Sequence, residues 1–314
     1  MKSILLTILF LLIPKSTISQ VSENHKIILL DSTFNEKTKL NHPYYRIIKD
    51  YKLEKESYEI SEYTDSGILI TEGTTSNRDI IVKEGKFIHF YENSNIKLIS
   101  NYEKGRKIGQ EFKWYENGNK KEEGTYIVNK EDKDQKNNYR VNQFWDNRGI
   151  QRVTNGNGNY IEKYKNYYGS GEVKNGVKDG VWEGWVGNTY NKYTEKYENG
   201  KLVSGTIIGE NNIKYTYEVL ETKPEPKNGL ADFHNYISQN FKAPNLPGGV
   251  NGKIWIKFSV DKDGKILEPI ILKDLGYGTA EEAKRVLVNY ENWNPGKQRG
   301  QNASFPYIFP IIIL

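Results

Sequence analysis

The sequence predicts an α+β protein in which a β-rich region of hairpin repeats precedes a small domain ordered helix, strand, strand, helix, strand. Three observations predict it. Aromatic residues recur beside Asn and Gly through the middle of the chain. Residues 230–314 switch between apolar alternation of period two and the apolar spacing of a helix. The composition, 36% hydrophobic and 13% aromatic with 23 Tyr among 314 residues, suits thin β-structure better than a thick helical core.

The elements follow in chain order. Residues 1–19 read as an export signal. Lys2 gives the positive start, and the apolar run from Ile4 to Ile13 is too short to span a bilayer before Pro14 and Lys15 end it. Thr17 and Ser19 put small residues at the cleavage-site positions, so the mature chain is expected to begin at Gln20. The alternative is an uncleaved anchor, which is the one route to membrane contact. The expected location is the periplasm or cell envelope. There is no cysteine, which excludes disulfides, thiolate metal sites, Cys nucleophiles and a lipid on an N-terminal Cys.

Residues 20–57 form a strand-rich segment, with strand-like pieces from Lys26 to Leu30 and from Tyr44 to Ile48. Residues 58–220 repeat themselves. One unit is an aromatic pair followed by Asn or Gly: Phe90, Tyr91 and Asn93; Trp114, Tyr115, Asn117 and Gly118; Phe144, Trp145 and Asn147. Another is Tyr with Gly three residues on and a second Gly shortly after, as in Tyr102, Gly105 and Gly109 or Tyr197, Gly200 and Gly205. Tyr91 and Tyr115 lie 24 residues apart, within the range of repeat architectures. Asn-Gly can supply the two positive-φ positions of a tight hairpin turn, and the flanking aromatics pack across the strand pair. A single hairpin cannot bury its apolar face, so neighbours are expected to stack into an extended sheet. Asn129 to Asn138 reads as an inserted polar loop. Pro224 and Pro226 among charged residues mark 221–229 as a linker.

In residues 230–314, Phe233, Tyr236, Ile237 and Phe241 have helical spacing. Ile254, Ile256, Phe258 and Val260 alternate with Trp255, Lys257 and Ser259, giving a two-faced strand. Asp261 to Gly264 is a turn, and Lys265 to Leu272 returns with Pro269 at a bulge or an edge. A second helix is expected over 279–290. Trp293 is expected to dock it onto the sheet, and Pro295 and Gly296 then turn the chain into a final strand, 305–314.

Little here suggests chemistry. Asp261 to Gly264 puts Gly at the fourth position, where a calcium loop needs it at the sixth, and Leu272 stands where the bidentate Glu belongs. Gly156 and Gly158 lack the strand–helix context of a phosphate loop. His25, His42, His89 and His234 are not at zinc-ligand spacing. A net charge of +5 from 45 basic and 40 acidic residues gives no nucleic-acid footprint. The chain is therefore expected to be no enzyme, with no catalytic residues, no metal and no cofactor.

Two resemblances add to this reading. The aromatic hairpin units resemble degenerate MORN repeats of bacterial exported proteins. Gly252, the strand from Ile254 to Val260, Asp261, Gly264, the helix from Ala280 to Leu287, Trp293, Pro295, Gly300 and Pro310 resemble the C-terminal domain of TonB, which contacts outer-membrane receptors. The loop from Ala243 to Gly249 departs from that family's Tyr-Pro and following Ala. The resemblance implies binding of a short extended segment by strand addition, through Ser304, Phe305, Tyr307, Ile308 and Phe309. The implied partner is an outer-membrane receptor or another envelope protein, with a link to transport. Pro306 and Pro310 remove two donors, so only one register or side of that strand can be open. A TonB energy transducer would also need an uncleaved anchor and a long spacer, and 221–229 is too short to cross the periplasm. The alternative function is an envelope scaffold or cell-wall-binding protein acting through its aromatic β-repeats.

Overall fold

The structure is a computed structural model that describes residues 24–36, 42–127, 139–209 and 212–313. The expected export signal and the inserted loop at 129–138 lie outside the described residues. The expected α+β class is overturned. Strands hold 56% of the residues and helices 8%, and the dominant element is a 16-stranded antiparallel sheet rather than a small α+β domain. The hairpin pattern is the reason. It starts earlier than the recognisable repeats and recruits the N-terminal segment into the same ladder.

The chain divides into two compact units near Asn157. The first holds β1 (Lys26–Leu30), β2 (Tyr44–Ile48), β3 (Tyr58–Thr64), β4 (Leu69–Thr75), β5 (Lys83–Phe90), β6 (Ile96–Glu103), β7 (Arg106–Trp114), β8 (Lys120–Tyr126), β9 (Tyr139–Trp145) and β10 (Gln151–Thr154). The second opens with β11 (Asn157–Tyr164), β12 (Tyr167–Lys174), β13 (Val177–Val186), β14 (Asn191–Glu198), β15 (Lys201–Ile208) and β16 (Lys214–Tyr217). Within each unit each of these strands neighbours the next in sequence, so the sheet is built from local hairpin pairings.

Two kinds of turn make this possible. At Asn155-Gly156, Asn175-Gly176 and Asn199-Gly200 both residues have positive φ, the geometry that matches strand twist in a two-residue hairpin. At the aromatic-pair units only the last turn residue does, as at Ser94, Gly118 and Gly149. There Tyr91 N–H donates to Asn95 O and Tyr115 N–H to Asn119 O, both at 2.9 Å. The aromatic-pair units are also joined in space: the Tyr91 hydroxyl donates to the Trp114 carbonyl, and the Tyr115 hydroxyl to that of Trp145, both at 2.9 Å. Each repeat thus ties its turn to the aromatic pair of the next.

Glycine and aromatic residues also pair across neighbouring strands. Phe87 covers Gly73, Tyr139 covers Gly124, Trp182 covers Gly171 and Tyr217 covers Gly205, so closely that a Cβ on the glycine would overlap the ring. Phe87 and Trp182 are fully buried this way within one layer of sheet. Burying such a ring is worth roughly 1.5–3 kcal/mol.

Beside the rings lie buried carboxylates. Glu62 accepts from Arg46 at 2.5 Å, Glu111 pairs with Lys107, and Glu122 accepts from Lys113 at 2.7 Å and from the Tyr139 hydroxyl at 2.6 Å. Burial alone would lower the pKa of Lys113, but Glu122 and Glu111 outweigh it and hold the ammonium charged.

The second unit continues with β17 (Glu221–Thr222), β18 (Glu225–Pro226), α1 (Gly229–Asn240), β19 (Gly252–Val260), β20 (Ile266–Lys273), α2 (Thr279–Val288), β21 (Trp293–Asn294), β22 (Gly296–Gln298), β23 (Gln301–Ala303) and β24 (Phe305–Ile313). The stretch expected to be a linker is paired: β17 with β22 and β18 with β21. The terminal core gathers Phe233 and Ile237 of α1, the inward side chains of β19, Val286 and Leu287 of α2, and Phe309 and Ile311 of β24. Trp293 is buried at its centre, with ring contacts to Phe233, Phe258, Tyr290 and Tyr307. Gly264 is required twice over. Its φ is +83°, and a Cβ there would lie 2.5 Å from the Trp293 carbonyl.

Candidate functional site

β19 pairs with β20 on one side and β24 on the other, so β24 is an edge strand. An antiparallel strand turns the N–H and C=O of alternate residues to opposite edges. Pro306 and Pro310 share one parity, opposite Ser259 and Trp255. A proline facing β19 would leave a ladder carbonyl without its donor, so prolines on such strands turn their nitrogens to the open edge. By that parity residues 306, 308, 310 and 312 offer carbonyls outward. Only Ile308 and Ile312 add N–H donors.

A groove of about 460 Å³ runs between α1 and this edge. His234, Ile237 and Phe241 line one wall, and Phe309, Ile311 and Ile313 the other. Pro310 and Ile312, whose backbone groups face outward, also border it. On the opposite face of the sheet, Ile308 and Ile312 are 54% and 57% exposed, with Trp255 and Ile270 exposed on the neighbouring strands. An added strand would alternate its side chains between groove and outer face.

The residues expected to bind a partner divide accordingly. Ile308 is exposed on β24, and Ser304 is exposed just before it. Phe305 and Phe309 are buried, and Tyr307 stacks on Phe258 at 5.5 Å. These three aromatics hold the strand in place, and its backbone is what remains open. The sequence reading missed Ile311 to Ile313 and the α1 wall. The helical spacing revealed α1 but not which flank β24 would leave uncovered. Of the motif positions, Gly252 and Gly264 take positive φ, Trp293 is core, and Pro295 lies beside Gly264.

Gly300 belongs to an anchor. Arg299 and Gly300 form a two-residue turn between β22 and β23, with φ of +50° and +76°. The Arg299 N–H donates to the Leu220 carbonyl at 2.8 Å, and a Cβ at Gly300 would lie 2.9 Å from the Thr216 carbonyl. The Arg299 side chain reaches Glu195 of β14, Nε donating to Oε1 at 2.8 Å. The hydroxyls of Tyr217 and Tyr197 donate to the same carboxylate at 2.7 and 2.8 Å. The guanidinium lies 4.7 Å from the centre of the Tyr193 ring. Burial, then Glu195, pushes both Tyr197 and Tyr217 well above the usual phenol range, so they stay protonated donors. The Arg299 turn, which leads through β23 into β24, is thereby tied to β14–β16 of the same unit. The sequence reading did not single out Glu195, although it shares the inward parity of Tyr193 and Tyr197 along β14.

Among the described residues no three His, Asp or Glu side chains gather as metal ligands, and no helix is long and apolar enough to cross a membrane. Comparison with protein-family models finds no match for the chain, and comparison with curated proteins finds none either.

Proposed function

We infer that this is an exported envelope protein that captures a short extended segment of another protein by strand addition at β24. The partner is an outer-membrane receptor or another envelope protein, and the capture is linked to transport. The observation that carries this is the unpaired edge of β24 with an apolar groove beside it. The resemblance of the positions from Gly252 to Pro310 to TonB terminal domains supports the same partner class. Backbone bonds supply affinity and the groove supplies side-chain selection. About six bonds at roughly 0.5–1.5 kcal/mol each, less the cost of ordering the peptide, give micromolar binding or weaker. The scaffold reading has less support, because Phe87 and Trp182 spend their ring faces on glycines and are closed to a ligand.

The test is an isotope-edited NMR titration of the chain from Gln20 onward with extended peptides from receptor N-terminal plugs. Fast-exchange shifts confined to residues 304–313 and α1 are expected. A folded protein whose β24 signals respond to no peptide refutes the reading.

A further inference from the structure

A second cleft, which shares only Asn235 with the lining of the β24 groove, opens on the other flank of α1. Its volume is about 610 Å³, within the roughly 300–1,000 Å³ of small-molecule sites. Asp232, Tyr236 and Gln239 form one wall at helical spacing, with Asn235 beside them. Asn289, Glu291 and Asn292, just after α2, form the other, and Asn228 closes one end. The floor is aromatic. The Tyr236 and Tyr290 rings lie 4.8 Å apart, and Tyr290 is buried.

The chemistry of this lining is narrow. No Lys, Arg or His contributes, and two carboxylates do, so an anion would be repelled. The carboxamides of Asn228, Asn235, Gln239, Asn289 and Asn292 make no hydrogen bond to the described residues. Asn228 even stands at the N-cap of α1 without capping it, although Asn is among the residues preferred there. A carboxamide both donates and accepts, as does a hydroxyl. Neighbouring hydroxyls on a ring match a set of such groups, and the apolar face of a sugar ring suits a tyrosine floor. The Tyr290 hydroxyl is already committed to Asp232 at 3.0 Å. Burial, then that bond, pushes its pKa up to about 12, so the floor stays uncharged at ordinary pH.

We propose that this cleft binds a neutral saccharide, its hydroxyls held by the carboxamide rim and its ring laid on Tyr236. The site stands independently of strand addition, and one chain can hold both ligands.

The test is a binding screen of the chain from Gln20 onward against immobilised neutral oligosaccharides, both hexose and N-acetylhexosamine oligomers, with acidic glycans beside them. Hits are titrated by calorimetry. Binding of a neutral glycan with a dissociation constant on the order of a millimolar or tighter is expected. The double variant Gln239→Ala, Asn289→Ala should weaken it about tenfold or more. Both residues are exposed, so melting temperature and peptide binding at β24 should not change. Binding of acidic glycans alone, of no glycan, or equally by the variant and the parent overturns the proposal.

Discussion

Replacing Arg299 with Ala probes the joint between the terminal elements and the sheet. Glu195 is fully buried and the Arg299 side chain is 10% exposed, with 2.8 Å between Nε and Oε1. Removing one member of a buried pair leaves an uncompensated charge, at a cost of about 3–5 kcal/mol. Tyr197 and Tyr217 still donate to the carboxylate, which puts the expected loss near the lower end, about 3 kcal/mol. For a cooperative unit of this size that is a fall in melting temperature of roughly 6–12 °C. The double variant Arg299→Met, Glu195→Gln removes both charges and should recover part of the loss. The double-mutant cycle should return a coupling of about 1–3 kcal/mol. Urea denaturation followed by tryptophan fluorescence gives the stabilities. Hydrogen exchange should show protection falling first in β14–β16 and at 296–303. An Arg299→Ala variant within about 0.5 kcal/mol of the parent, or additive single substitutions, refutes the assignment of this pair as the anchor.

Further outcomes follow from the same geometry. Ile308→Pro should weaken peptide binding by roughly 5- to 150-fold, since one outward donor is lost and a peptide carbonyl is left unpaired at about 1–3 kcal/mol. Ile308→Ala, which keeps the N–H, should bind more tightly than Ile308→Pro when both are titrated with a fluorescently labelled peptide and followed by anisotropy. Gly171→Ala should cost about 1–3 kcal/mol in chemical denaturation, because its Cβ would lie 2.5 Å from the Trp182 ring. His89 is held neutral, its pKa lowered to about 4, first by burial and then by Lys83. The unfolded chain therefore takes up this proton first. The stability contribution is complete above pH 6.5 and is lost as pH falls from about 6.5 toward 4. With solvent screening of this half-buried ring, the loss is about 1–2 kcal/mol. Melts of His89→Gln across that range should show a flatter pH profile than the parent.

The turns were the most legible part of the chain, because Asn-Gly and Tyr-Glu-Asn-Gly carry their backbone geometry in their own side chains. The two classes of turn were not distinguished. Asn117 keeps negative φ where Asn175 and Asn199 do not, and the difference lies in the register of the flanking strands. The edge strand could be read from its apolar run and its two prolines. The groove beside it could not, because it depends on where α1 lies across the core. The pairing of 221–226 was hidden by Pro224 and Pro226, which mark extended chain without saying whether it finds a partner. Glu62 and Glu195 share the buried parity of Ile60 and of Tyr193 and Tyr197, but alternation alone does not name the Arg or Tyr that satisfies a carboxylate there. The fold class was misjudged because the two helices were weighed against one small domain. They are a minor addition to a sheet that begins at Lys26.

The two prolines of β24 also govern what this edge refuses. Were a second copy of β24 to lie against the first, both strands would bring donors at only Ile308 and Ile312, and carbonyls would meet carbonyls elsewhere. A strand carrying an N–H at every outward position satisfies all four outward carbonyls of β24 and loses bonds only for its own carbonyls opposite Pro306 and Pro310. The edge therefore discriminates by what a visitor can donate. Self-pairing of the kind by which an unbroken isoleucine-rich strand seeds fibres is thereby disfavoured.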